Sequence, residues 1–184
     1  MMSQYKRNYE KGGTYFFTVI SYKRQKIFIG PSINILWACF KKAITKAPFT
    51  IEAIVVLPDH LHCIWRLPDE DKDFSSRWKT IKGEFSINYQ QIIGAPENKI
   101  SESMKKKGES GIWQRRFWEH TIRDKKDFQT HCDYIHYNPV KHGYVRAPGE
   151  WMHSSFRQFV KAGLYDAAWA SMQNPELPED MGGE

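Results

Sequence analysis

Two hydrophobic periods run through this chain. Tyr15-Phe16-Phe17-Thr18-Val19-Ile20-Ser21-Tyr22, behind Gly12-Gly13, is dense in aromatic and β-branched residues and predicts a first strand. From Ser32, read as an N-cap, Ile33, Leu36, Trp37, Phe40 and Ile44 recur at helical spacing and stop before Pro48. The stretch from Thr50 to Leu57 predicts a second strand, Pro58-Asp59 a tight turn, and Leu61 to Leu67 a returning third strand. Past the polar loop at 68–71, Phe74, Trp78, Ile81, Phe85 and Tyr89 line one stripe of a helix over 73–92. Residues 94–110, with Lys105-Lys106-Lys107, read as an exposed, mobile loop. A fourth strand is expected around 116–122, then a helix from Lys125 or Lys126 to about Tyr137 that ends before Pro139. A short helix around 154–162 follows, and no internal repeat is visible.

The order β-α-β-β-α-β predicts an α+β fold of the ferredoxin-like, split βαβ kind: an antiparallel sheet with two helices on one face. The other face is left for a ligand or for the additional helix, with a further C-terminal helix beyond it. Residues 1–165 read as one domain and 166–184 as an acidic, flexible tail too rich in Pro, Gly and charge to order itself. The longest apolar stretch, from Ile51 to Leu67, is broken by Glu52, Asp59, His60 and His62, so no membrane span is expected. The basic N-terminus has no apolar run behind it, so no secretory leader is expected either. Three widely separated cysteines, Cys39, Cys63 and Cys132, fit reduced thiols in the cytoplasm better than disulfides or a zinc site.

Charge sharpens the picture once it is split by position. The chain carries +6, but its five charged residues after Lys161 are all acidic, so the body up to Lys161 carries +11. Such a body suits a polyanion partner, although a basic surface that merely keeps the protein dissolved has the same signature.

Two constellations could do chemistry. His60 and His62, two apart at the start of the third strand, project to the same side of a sheet and could chelate a divalent ion. They could equally be two histidines alternating on a half-exposed strand. In Asp133-Tyr134-Ile135-His136-Tyr137-Asn138-Pro139, Tyr134 and Asn138 share one helix face. A tyrosine hydroxyl beside a metal-bound phosphate is a competent nucleophile, and an amide oxygen one turn on could add a ligand. The plain alternative is a tyrosine packed on the sheet with Asn138 as a C-terminal cap. Tyr137, about 300° around the helix from Tyr134, should point off the shared face. In WQRRFWEHTIRD, aromatic and basic residues alternate as single-stranded nucleic acid requires, with Arg115, Arg116 and Arg123 as candidate contacts. Lys141, His142, Arg146, Arg157 and Lys161 form a second basic group, and His120 could approach the site.

GGTYFFTV, VVLPDHLHCIW, IWQRRFWEHTIRD and DYIHYNPVKHG together resemble the HUH single-tyrosine transposases, and within them the REP-associated tyrosine transposases, over roughly Tyr5 to Trp169. The resemblance implies a nuclease that cuts and rejoins single-stranded DNA beside REP-type hairpins through a 5′-phosphotyrosine. It implies Tyr134 as nucleophile, His60 and His62 as metal ligands and Asn138, where many relatives have glutamine, as the third. It further implies Mg²⁺ or Mn²⁺ as cofactor, a single-stranded tetranucleotide 5′ to the hairpin as part of the substrate, and a monomer acting at the nucleoid. A domesticated, catalytically silent hairpin binder is the alternative. A ferredoxin-like RNA-binding domain is a weaker third reading, since its aromatic signature on the central strands is absent.

Overall fold

The computed structural model describes residues 8–96, 100–171, 174–178 and 181–183. Strands β1 (Thr14–Ile20), β2 (Thr50–Val56), β3 (His60–Arg66) and β4 (Trp118–Thr121) form one antiparallel sheet in the order β2-β3-β1-β4. This is the expected split βαβ arrangement. The crossover helices α1 (Pro31–Lys46) and α2 (Phe74–Ile92) pack on each other and cover one face of the sheet.

Strand pleating sorts the side chains into two layers. Tyr15, Phe17, Val19, Leu61, Cys63 and Trp65 face α1 and α2, where they meet Leu36, Phe40, Trp78, Ile81 and Phe85. The Trp65 and Trp78 rings stack at 4.3 Å, so the aromatic load is largely a core device. Each such ring contributes on the order of 2 kcal/mol by leaving water. The residues between them, Phe16, Val55 and Ile64, face the opposite layer with Cys132, Tyr134 and Ile135. Those last three come from α4 (Lys125–Lys141), which packs across β2 and β3. With both faces covered, the central strands β1 and β3 are buried almost throughout, which is why they read as continuous apolar runs.

Four local expectations change. Ser32 is not the N-cap of α1: Gly30 holds that place, Pro31 starts the helix, and the Ser32 hydroxyl accepts from Ile29 N–H at 3.0 Å. The stretch read as a loop contains a short helix, α3 (Glu102–Lys106), because the Ser101 hydroxyl caps Met104 N–H and Met104 is buried. β4 is shorter than expected at both ends. Most consequentially, α4 does not end before Pro139 but runs through it to Lys141. The missing Pro139 N–H costs one bond near the helix end, while His142 N–H still reaches Asn138 O at 3.0 Å and Tyr144 N–H reaches Pro139 O at 2.9 Å.

Beyond α4 the chain seals the outer edge of β2. Val56 N–H donates to His153 O and Ser155 N–H to Ile54 O, both at 2.8 Å, before helix α5 (Phe156–Lys161). His136, on the buried side of α4, bonds the Ser155 hydroxyl at 2.9 Å, and burial pushes its imidazole down to about 3, so it is neutral.

Candidate active site

The site lies on the α4 face of the sheet, where β1, β3 and α4 meet. His60 and His62 do project to one side: their ring centroids are 4.9 Å apart, while Leu61 and Cys63 enter the opposite core. Both imidazoles are fully buried.

Their tautomers follow from their partners. Asp59 Oδ1 lies 2.7 Å from His60 Nδ1, and a carboxylate only accepts, so Nδ1 carries the hydrogen and Nε2 the lone pair. Burial disfavours the Asp59 charge, but His60 and Arg24 outweigh it and hold the carboxyl down at about 2. Thr18 lies opposite His62 in the β1–β3 register, its hydroxyl 2.9 Å from His62 Nδ1. The single Thr18 hydrogen goes to the carbonyl of Gly182, so Thr18 accepts from His62 Nδ1–H and again leaves Nε2 as the donor atom. A ligand imidazole with its other nitrogen tied to an oxygen is what divalent-metal sites use. The donor set therefore fits a divalent cation.

Helix α4 supplies the rest. Asp124 caps its start by accepting from Asp127 N–H at 2.8 Å, and Lys141 favours its last turn by charge. Tyr134 and Asn138 are both buried on it. The Tyr134 ring lies edge-on to His62 at 5.1 Å and to Phe16 at 6.0 Å. Tyr137 leaves this face, as its spacing predicts, and its hydroxyl donates to Asn174 Oδ1 at 2.6 Å.

The basic candidates separate. Lys141 is brought to the site: its Nζ donates to the Tyr134 hydroxyl at 3.1 Å and lies 4.7 Å from that ring's centroid. Arg115 is engaged by Glu109 at 2.8 Å and by Ser103 at 3.0 Å. Arg157 Nε donates to Gly149 O at 3.0 Å, and Arg116, Arg123, Arg146 and Lys161 are exposed. His120 does not reach His60 or His62. Its Nε2 is 2.9 Å from Asp127 Oδ2, with His131 Nδ1 3.0 Å from the other carboxylate oxygen. These three could hold a cation. Asp127 also accepts Arg123 N–H, so as it stands the group joins β4 to the first turn of α4.

Three features were missed from sequence. Asp59 was read only as a turn residue, although an acid directly before the first histidine was there to be noticed. His142, just past α4 and read only as part of the basic group, brings its ring within 5.1 Å of His60. Residues 181–183 of the supposed free tail lie on the site: Met181 is buried beside Phe16 and Tyr134, and a Cβ at Gly182 would overlap the Tyr134 hydroxyl. A Cβ at Gly183 would likewise run into the Trp118 ring. No local signal links positions 18 and 182.

The family model described as IS200-like transposase matches residues 11–138. An Escherichia coli REP-associated tyrosine transposase is 44% identical over 169 residues, covering 92% of each chain. A Haemophilus influenzae relative is 42% identical over 176 residues, 96% of this chain and 97% of that one. Among solved structures, a REP-associated tyrosine transposase bound to a REP hairpin superposes with a TM-score of 0.80 at 42% identity, covering 100% of this chain and 98% of that chain.

Proposed function

This chain belongs to the IS200-like transposase family, among its REP-associated tyrosine transposases, and from that premise we propose that it cuts and rejoins single-stranded DNA beside REP-type hairpins. The observation that carries the reading is the meeting of Tyr134 with His62 and His60 on one buried face, their second nitrogens held by Thr18 and Asp59. A relative solved with a REP hairpin supports the choice of DNA.

In this reading the Tyr134 oxygen attacks the scissile phosphorus, the P–O3′ bond breaks, and a 5′-phosphotyrosine and a free 3′-hydroxyl result. The phenolic proton ends on the 3′-oxygen. The diester energy is kept in the new bond, so another 3′-hydroxyl can reverse the step without ATP. His60 and His62 through Nε2, with the Asn138 amide oxygen, would hold Mg²⁺ or Mn²⁺, which when bound neutralises charge on the phosphate. Imidazole ligands favour Mn²⁺ in affinity. The exposed Arg116, Arg123, Arg146, Arg157 and Lys161 would run along the flanking strand, with Arg115 joining them where the DNA displaces Glu109. The protein would act as a monomer in the cytoplasm, at the nucleoid; among the described residues no helix is long and apolar enough to cross a membrane.

The substrate is tested by binding. A hairpin with a 5′ single-stranded tetranucleotide is expected to bind tightly and a blunt duplex much more weakly. Log affinity should fall with log salt by about 0.7 per phosphate neutralised, and replacing both Arg157 and Lys161 by glutamine should flatten that slope by about 1.4. Equal affinity for the two DNAs would refute the substrate class.

The C-terminal segment gives a second test. Strand entry requires Gly182 to leave Tyr134, so Gly182→Ala, whose methyl cannot share space with the phenol, should release it. Adduct formation is expected to rise by about tenfold, the effect of displacing a contact of roughly 1.4 kcal/mol. Tight binding without cleavage in this variant, at any Mn²⁺ concentration, would favour the silent hairpin binder instead.

A further inference from the structure

Lys141 is an exposed residue, yet its ammonium sits on a phenol that is 2% exposed. It gets there because α4 continues through Pro139: seven residues along a helix is two turns, which stacks Lys141 over Tyr134 on the Asn138 side. A helix that stopped before the proline would have released this side chain to the general basic surface. The ammonium thus lies 3.1 Å from the hydroxyl and 4.7 Å from the ring centroid of the tyrosine that a scissile phosphate must reach. An N–H of that ammonium donates to Tyr134 Oη, the atom that would bond to phosphorus.

Resting on the reading of Tyr134 as nucleophile, we propose that Lys141 is a catalytic residue: its ammonium fixes the Tyr134 hydroxyl and carries the charge on Oη whenever the phosphotyrosyl bond forms or breaks. In cleavage Oη–P forms, P–O3′ breaks and the phenolic proton passes to the 3′-oxygen. During the approach Lys141 holds Oη in place for attack on phosphorus. In joining the 3′-hydroxyl attacks, P–Oη breaks, and the departing phenolate accepts a charge-assisted hydrogen bond from Lys141 until the proton returns to it. Joining should therefore depend on Lys141 at least as strongly as cleavage. A lysine serving only to grip DNA would affect neither step once DNA is saturating.

The experiment uses the full chain, Mn²⁺ and a labelled hairpin carrying a 5′ extension, in single turnover at saturating DNA, with affinity measured separately without metal. In Lys141→Met the rate of covalent adduct formation should fall on the order of 100-fold, and joining of preformed adduct to a 3′-hydroxyl strand by as much or more. Metal-free affinity should stay within about fivefold, the worth of one exposed charge pair. Lys141→Arg should restore most of both rates. A fluorinated tyrosine at 134, a better leaving group, should recover joining in the Met variant more than in the lysine protein, a response that a structural role does not give. Wild-type adduct rates in Lys141→Met with loss of affinity alone would overturn the proposal, as would an Arg variant as slow as Met with no gain from fluorination. Adducts persisting in Tyr134→Phe would overturn the nucleophile and this proposal together, whereas full activity in Lys141→Met with none in Tyr134→Phe overturns the proposal alone.

Discussion

Tyr134→Phe is expected to lower DNA cleavage by at least about 10⁴-fold, the scale seen when an enzyme loses its nucleophile, and to leave no covalent protein–DNA adduct. Only an oxygen is removed. The ring remains edge-on to His62 and Phe16, so the packing of α4 on the sheet persists. The lost Lys141–Oη hydrogen bond should cost about 1 kcal/mol of stability, readable as a shifted urea midpoint with an unchanged slope. Hairpin binding should be nearly unchanged. The matching control is Tyr137→Phe, which loses only the bond to Asn174 and should keep both cleavage and adduct. Denaturing gels and mass mapping of the adduct peptide decide between them: an adduct on Tyr137 in the unaltered protein would reverse the assignment.

The second large effect concerns the histidines. His60→Ala or His62→Ala should abolish metal-stimulated cleavage, because each deletes an imidazole from a site that the remaining groups cannot hold on their own. Mn²⁺ binding followed by electron paramagnetic resonance, without DNA, should disappear alongside. The supporting residues give a graded version. Asp59→Asn can still accept from His60 Nδ1–H but without the charge, and should weaken Mn²⁺ affinity by about 10–100-fold, the usual cost of a lost outer-shell partner. Thr18→Val removes the acceptor that sets the His62 tautomer and should fall in the same range. High Mn²⁺ should restore cleavage in these two and not in the histidine variants. Cleavage at the wild-type rate in EDTA would end the metal reading.

How far sequence could go is visible at single residues. Period two placed His60 and His62 on one face and Leu61 and Cys63 on the other, and the sheet bears this out because every position of β3 is set by its pleat. Period 3.6 separated Tyr134 from Tyr137 for the same reason. Where a local signal competed with packing, packing prevailed. Pro139 is a fair stop signal by itself, but α4 is pinned to β2 and β3 along its buried side, and the helix carries on to Lys141. Lys141 itself was grouped with Arg157 and Lys161 because basic residues close in sequence look alike until the direction of each side chain is known.

The elements, the two-layer core, the paired histidines and the helix face shared by Tyr134 and Asn138 were thus determined by the sequence itself, since each depends on spacing within a few residues. Strand register, which set Thr18 against His62, was not, because pairing depends on which distant segments bury each other best. Nor was the fate of the C-terminal segment, whose polarity argues for solvent until Met181 finds the apolar ground between Phe16 and Tyr134. Those contacts join positions 164 apart in the chain, Thr18 and Gly182, and no local pattern encodes them. Only closing the whole sheet and laying α4 across it brings them within reach, and that closure is driven by burial summed over the entire molecule.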